Sequence, residues 1–282
     1  MPEEVDRTGQ LRELVDAIHV ESSATDVFRA STPEWWGERI FGGMIVAQTL
    51  NAALQTVDDT LVAHSMHGYF LGPVAPRVDS ELIVERLRDG RSFSLRQATM
   101  YQQGRMTSRF FCSFHVPEDG DEYQLTVQDV PGPETLEIAA SSGPFDACDV
   151  GPTPPGPDGT YRSTARLWNR TCAPLDDDPL VHACMMAFFS DMTRTSFRPL
   201  SLDMWGTHTD VSLDHAVWFH RPARADEWFF SDFQALVNAG GRGVVRGTMH
   251  TRSGILCMSM AQELLIRRLP GQGSGAPWTL NT

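Results

Sequence analysis

At 282 residues, with 41% hydrophobic and 21% charged content, the chain is long enough for one large domain or two of ordinary size and too apolar to be disordered. A formal net charge of −13 excludes a nucleic-acid binder acting through a broad basic face; the local patch Arg86–Arg91 reads as solvated surface or as a contact for a phosphorylated small molecule. Five cysteines without a C-x-x-C pair argue for a reducing compartment and against a cysteine-rich metal site.

The opening stretch MPEEVDRTGQ lacks the basic and apolar regions of a secretory leader, and no apolar run approaches the ~20 residues that span a bilayer. A cytoplasmic protein without integral membrane association is expected. Leu11, Leu14, Val15 and Ile18 then recur at helical spacing and predict a short amphipathic helix. A Ser/Thr-rich loop leads to Trp35-Trp36 and to Phe41-Gly42-Gly43, which opens a second helix striped by Val46, Leu50, Ala53, Leu54 and Val57. Glycines at such a place let another backbone or a ligand approach the free N–H groups of the helix, or they are plain loop residues.

From Val62 to Val116 the pattern changes to four strands, punctuated at Gly72-Pro73, Asp89-Gly90 and Gln103-Gly104. A helix followed by antiparallel strands is an α+β unit. Residues 117–178 are rich in proline, glycine and acid and read as an irregular connection running along the surface, with short strands around Thr160–Asn169. Beyond it the first unit recurs. Val181, Cys184, Met185, Phe188, Phe189 and Met192 stripe a helix, and strands are predicted at Val211–Arg221, Glu227–Asn238, Gly243–Arg252 and Ile255–Ile266. Phe70-Leu71-Gly72-Pro73 matches Phe219-His220-Arg221-Pro222 at an offset of 149, and Arg96 with Arg246 and Gly104 with Gly254 match at 150. A near-constant offset marks an internal duplication. The chain divides into unit 1–116, connection 117–178, unit 179–268 and a flexible tail, 269–282.

Within Ile255–Ile266, period-2 alternation sends Leu256, Met258, Met260, Gln262, Leu264 and Ile266 to one face. Gln262 is the polar exception. Buried there, its amide needs a backbone partner, a water or a substrate. Asp191 flanks the apolar stripe of the second long helix, where desolvation would raise its pKa and improve it as a base; a solvent-facing helix residue fits the pattern as well. Ser212 and Asp214 alternate onto one face of their strand, opposite Val211, Leu213, Val217 and Phe219, and Ser212 also reads as an ordinary strand serine. His215 and His220, with His64 and His67 in the first unit, lack metal-ligand spacing and read as satisfied strand histidines. There is no G-x-S-x-G, G-x-G-x-x-G or P-loop, so hydrolysis by a positioned water is more plausible than by a covalent serine, and neither cofactor nor metal is expected.

FGGMIVAQTL (41–50), HSMHGYFLGP (64–73), LRDGRSFSLR (87–96), LDHAVWFHRP (213–222) and MAQE (260–263) together resemble the type II acyl-CoA thioesterase family over roughly Trp35–Val116 and Pro179–Arg267. The resemblance implies a double hotdog fold, two helix-wrapped antiparallel sheets joined side by side, and hydrolysis of fatty acyl-CoA to free acid and coenzyme A. It also carries the family's aspartate, hydroxyl and glutamine onto Asp191, Ser212 and Gln262, the residues that would hold the attacking water. Hotdog relatives suggest at least a homodimer. Met44 departs from the glutamine typical after the two glycines, and Cys112 stands where the repeat places the counterpart of Gln262, so chemistry is expected in the second copy alone. The acyl chain would lie among Met185, Phe188, Met258 and Met260. A hotdog hydratase or dehydratase built on Asp214-His215, and a non-catalytic acyl-CoA binding protein, are the alternatives.

Overall fold

The computed structural model describes residues 5–33, 35, 37, 40–127, 130–139, 143–151, 164–192 and 208–268. Trp36, the start of the strand expected around Thr160, and the 269–282 tail lie outside them. The first half contains α1 (Arg7–Ile18), β1 (Glu21–Ala24), β2 (Val27–Ala30), α2 (Gly42–Leu54), β3 (Val62–Phe70), β4 (Ser80–Asp89), β5 (Phe93–Gln102) and β6 (Arg105–His115). Next come β7 (Phe145–Asp149), β8 (Thr164–Thr171), α3 (Pro179–Ser190), β9 (His208–Ser212), β10 (Asp214–Phe219), β11 (Phe229–Ala239), β12 (Arg242–Thr251) and β13 (Leu256–Arg268).

The described strands form one antiparallel sheet in the order β1-β2-β4-β5-β6-β3-β10-β13-β12-β11-β8-β7, with β9 pairing on β13 beside β10. The order reads alike from either end. Each half is a hairpin-built sheet, and the two meet along β3 and β10, where Met66 pairs with Val217 and Gly68 with His215. This is the double hotdog architecture that the resemblance implies. The sheet's inner face packs on α2 and α3 in one apolar cluster, which includes Met44, Leu50, Phe110, Phe114, Phe188, Phe233 and Met260. α2 is apolar almost all round and buried along nearly its whole length, as a helix enclosed on every side must be.

Two registers differ from the sequence reading. The strand expected at Val211–Arg221 is two strands, because β13 pairs Leu264 with Ser212 but Ala261 with Ala216. One extra residue, Leu213, is accommodated at the break, and its N–H still bonds to the Glu263 carbonyl at 2.9 Å. Such a bulge reverses the facing of everything beyond it. Val211 is therefore exposed while Val217 is buried, against the single face expected for both. The offset of 150 that matched Arg96 with Arg246 is also one residue too long for that strand. Buried Arg96 lies on the inner face of β5 and its counterpart on β12 is Val245; Arg246 points outward to Gln234. The additional residue sits in the turn between β12 and β13, so the offset of 150 holds from Gly254 onward.

The 117–178 segment contributes β7 and β8 to the edge of the second half-sheet. Part of it crosses the outer face, where Cys148, Trp168 and Phe230 are covered by Val127, Val130 and Leu136. Trp168 donates its indole N–H to the Pro131 carbonyl at 2.8 Å. Arg7 of α1 clamps the segment from the other side through the Gly143 and Phe145 carbonyls and Asp146. No helix among the described residues is long and apolar enough to cross a membrane.

At the seam, a Cβ on Gly68 would fall 2.2 Å from the Arg109 carbonyl oxygen and 2.5 Å from the Phe110 ring. Backbone on one side and a packed ring on the other leave no room to yield. Gly68→Ala is expected to destabilise the fold by about 1–3 kcal/mol, read as a Tm lower by roughly 5 °C in calorimetry.

Candidate active site

The site begins with an uncapped helix. The residue before α2, Phe41, has an extended backbone and offers no side-chain acceptor, so the first N–H groups of α2 need a partner from elsewhere. The partner comes from the other half of the molecule. α3 ends at Ser190, and Asp191 follows as its C-cap, with the carboxylate accepting a bond from the Gly43 N–H. That places a negative charge on the positive end of the α2 dipole. The two glycines make the approach feasible: a Cβ on Gly42 would lie 2.6 Å from Asp191 Oδ2, and one on Gly43 would lie 2.3 Å from the Phe188 carbonyl oxygen. Of the readings of Gly42-Gly43 met in the sequence, close approach is the one seen here, by the Asp191 side chain at Gly42 and the Phe188 backbone at Gly43.

From the sheet side, the inner face of β13 delivers Gln262 and the end of β9 delivers Ser212. Gln262 Nε2 donates to Asp191 Oδ1 at 2.5 Å and to Ser212 Oγ at 2.6 Å, and Ser212 Oγ donates to Asp191 Oδ1 at 3.3 Å. Asp191 is only 5% exposed and Gln262 1%. The solvent-facing alternative for Asp191 is thereby overturned, because α2 and β13 both close over it. Burial pushes its carboxyl up to about 7, against the lowering pull of the bonds from Gln262, Ser212 and the Gly43 N–H; Asp210 adds a further upward push.

The bulge at Leu213 separates Ser212 from Asp214. The expectation that they share a face is wrong: Ser212 turns inward, while Asp214 faces outward and accepts from the Glu263 N–H at 2.6 Å. By the same reversal His215 turns inward, 1% exposed, and its Nε2 meets Ser190 Oγ at 2.8 Å. Burial pushes its pKa down to about 3. His64 and His220 bond to Ser113 and Ser259, each from β3 or β10's C-terminal flank to the neighbouring strand, and His67 stands edge-on to Trp218. Among the described residues no cluster of His, Cys, Asp or Glu is arranged to hold a metal ion.

Met258 and Met260 continue from Gln262 along the inner face of β13, and Phe188 and Met185 run back along α3 from Asp191; all four are buried in the apolar cluster. Phe188 also packs edge-on against Phe41, 5.1 Å between centroids, beside the glycine pair. Sequence reasoning did not place the Gly43 N–H or Ser190 in this group and left His215 among ordinary strand histidines. The position of His215 in the apolar alternation His215, Val217, Phe219 was a signal for it.

Among the described residues the first copy shows no equivalent of the Asp191, Ser212 and Gln262 cluster. Where the second has Gln262, β6 has buried Cys112, register partner of Met66. The start of α3, counterpart to the open end of α2, carries Pro179 and is capped by its own Asp178, which accepts from the Leu180 N–H at 2.9 Å.

Comparison with known proteins gives two adjoining family matches, acyl-CoA thioesterase N-terminal domain over residues 32–115 and acyl-CoA thioesterase C-terminal domain over 117–266. The chain is 30% identical to acyl-coenzyme A thioesterase 8 of Homo sapiens over 94% of its own length and 92% of that protein. It is 28% identical to acyl-CoA thioesterase 2 of Haemophilus influenzae, over 91% and 98% respectively. Among solved structures, an acyl-CoA thioesterase II from Mycobacterium marinum superposes with a TM-score of 0.80 at 31% identity, covering 92% of this chain and 99% of that one. A hot dog fold protein from Alicyclobacillus acidocaldarius superposes with a TM-score of 0.75 at 16% identity, a likeness of fold.

Raising the Asp191 carboxyl from its ordinary 3.8 to about 7 makes the group a charge on stability. The unfolded chain ionises first, so the penalty grows as pH rises above the unfolded value and is complete above about 7, on the order of 2 kcal/mol at pH 5 and 4 kcal/mol at pH 8. Asp191→Asn, which cannot ionise, is expected to raise Tm, and by more at pH 8 than at pH 5, in parallel thermal melts.

Proposed function

The chain belongs to the acyl-CoA thioesterase family and is a thioester hydrolase; from that premise we propose that it cleaves fatty acyl-CoA with a water held by Asp191, Ser212 and Gln262. The observation that carries this reading is the buried carboxylate of Asp191, bonded at once to Gln262 and near Ser212. A carboxyl with its pKa near neutrality is a stronger base than an exposed aspartate and is still half ionised at working pH. Asp191 takes a proton from the water. The water oxygen adds to the thioester carbonyl carbon, the C–S bond breaks as the proton held by Asp191 passes to the departing sulfur, and the products are the free acid and coenzyme A. Gln262 and Ser212 orient the water, so the reacting atoms meet without a further search.

The developing oxyanion needs preorganised donors, which must be groups other than the Gly43 N–H, already given to Asp191. The acyl chain would enter the apolar seam of Met185, Phe188, Met258 and Met260, where unbranched thioether side chains re-pack around a flexible tail. Two facts weigh against a hydratase using Asp214 and His215: their side chains turn to opposite faces, and each has its own partner, the Glu263 N–H and Ser190. A purely binding role leaves the raised pKa of Asp191 without a use. The outer face exposes Tyr69, Phe111 and Trp218, a row that supports self-association into at least a homodimer.

With long-chain acyl-CoA and free-thiol detection, the protein is expected to release coenzyme A, and Asp191→Asn and Gln262→Ala to lower kcat by about 10²–10⁴-fold. Undiminished thiol release in both variants would falsify the assignment. Because the base works only when ionised, kcat/KM is expected to climb as pH rises through about 7 and then level off. A profile flat from pH 5 to 9 contradicts Asp191 as the base.

A further inference from the structure

Three residues hold a water in the proposed reaction, and two of them, Asp191 and Gln262, hang from different elements, the C-terminal end of α3 and the inner face of β13. Something must fix the end of α3 against the sheet. We propose that Ser190 and His215 are a positioning pair that locks the last turn of α3 onto the seam strand β10 and so sets the distance between Asp191 and Gln262, an inference that rests on the hydrolytic reading of those two residues.

The geometry is specific. Ser190 immediately precedes Asp191. Its hydroxyl donates its single proton to the Ala187 carbonyl at 2.7 Å, so toward His215 Nε2, 2.8 Å away, it can only accept. With the hydroxyl proton assigned in this way, His215 carries its proton on Nε2. Its backbone lies one rung beyond the Ala216–Ala261 pair, which brings its side chain beside that of Gln262 on the inner face, and the two side chains interact. On its other flank stands Gly68 of β3. A residue with its N–H committed to Ser190 and its basicity suppressed by burial is no proton acceptor for the reaction. It makes no bond to Asp191. Its role is to hold, in one tautomer, at every working pH.

The duplicated half supplies an internal control. The rung equivalent to His215 and Gln262 is Met66 and Cys112, which are register partners on β3 and β6. Both polar members are replaced together in the half that has no counterpart of the Asp191 site. A buried imidazole in an apolar row costs stability, the more so as His215 Nδ1 has no hydrogen-bond partner among the described residues, and the chain keeps one where the glutamine is and not where it is absent.

The test uses the full-length protein with Ser190→Ala, His215→Phe and His215→Gln, and Asp191→Asn in parallel, reading thiol release, the pH profile and Tm. Ser190→Ala and His215→Phe are expected to lower kcat by about 10–100-fold with little change in KM, and to move the pH midpoint of kcat/KM away from that of the unaltered enzyme, since small displacements of reacting groups carry penalties of this size. His215→Gln, whose Nε2–H can reach Ser190, is expected to recover most of the loss. If Ser190→Ala and His215→Phe keep kcat and the pH midpoint while Asp191→Asn abolishes turnover, the positioning role is overturned and the hydrolytic reading stands. A fall in Tm with kcat and midpoint unmoved, or His215→Gln as impaired as His215→Phe, also overturns it. Should His215→Phe fail to fold, Ser190→Ala, which removes one oxygen, decides alone. Undiminished turnover in Asp191→Asn instead brings down the reading beneath it.

Discussion

The structure depends on a carboxylate from one half of the chain capping a helix from the other. α2 starts without a cap of its own, and Asp191, at the far end of α3, supplies the missing acceptor to the Gly43 N–H. Without Asp191 the Gly43 N–H would be left unmatched, and without α2 the aspartate would keep only the bonds from Gln262 and Ser212. Their meeting requires Gly42 and Gly43, since any side chain there would hold the two apart. It also leaves the carboxyl only half compensated. Desolvation outweighs the three bonds it receives, and that imbalance is the origin of its near-neutral pKa.

The same interaction explains why a nearly symmetric molecule has an asymmetric chemistry. Strand order and helix placement repeat from one half to the other, but the two helix starts are treated in opposite ways. α3 closes its own end with Asp178 and begins on a proline that has no N–H to offer, whereas α2 is left open to its neighbour. Cys112 and Met66 then fill with apolar volume the places that Gln262 and His215 hold in the second half. Once one end is self-capped, nothing there demands a carboxylate or an amide.

Much of the fold was legible in the sequence because it rests on periodicity. The alternation that isolates Gln262, the stripes of α2 and α3, and the repeated turn residues are all local patterns, and they locate the long elements to within a few residues. Asp191, Ser212 and Gln262 were reachable as a set through the resemblance, not through spacing. What could not be read were shifts of a single residue. The bulge at Leu213 has no local signature in VSLDHAV, yet it decides that Ser212 and His215 face the site and that Asp214 does not. The turn after β12 is one residue longer than its counterpart, which made Arg96 and Arg246 look equivalent although they lie on opposite faces. The proline-rich connection showed β8 only as a short strand around Thr160–Asn169 and hid β7, because edge strands beside a neighbour need little hydrophobic alternation of their own.

The β3–β10 seam also bears on how the chain is made. β3 is complete by Phe70, but β10 does not begin until Asp214, and Gln262 comes later still. During synthesis the first half therefore emerges with β3 as a bare strand edge and α2 with an open N-terminus. At about 5–20 residues per second that exposure lasts roughly 10 s or more. Over that interval the nascent half presents an unpaired strand next to the exposed Tyr69 and Phe111, and its safety lies in folding neighbours rather than in sequence yet to arrive.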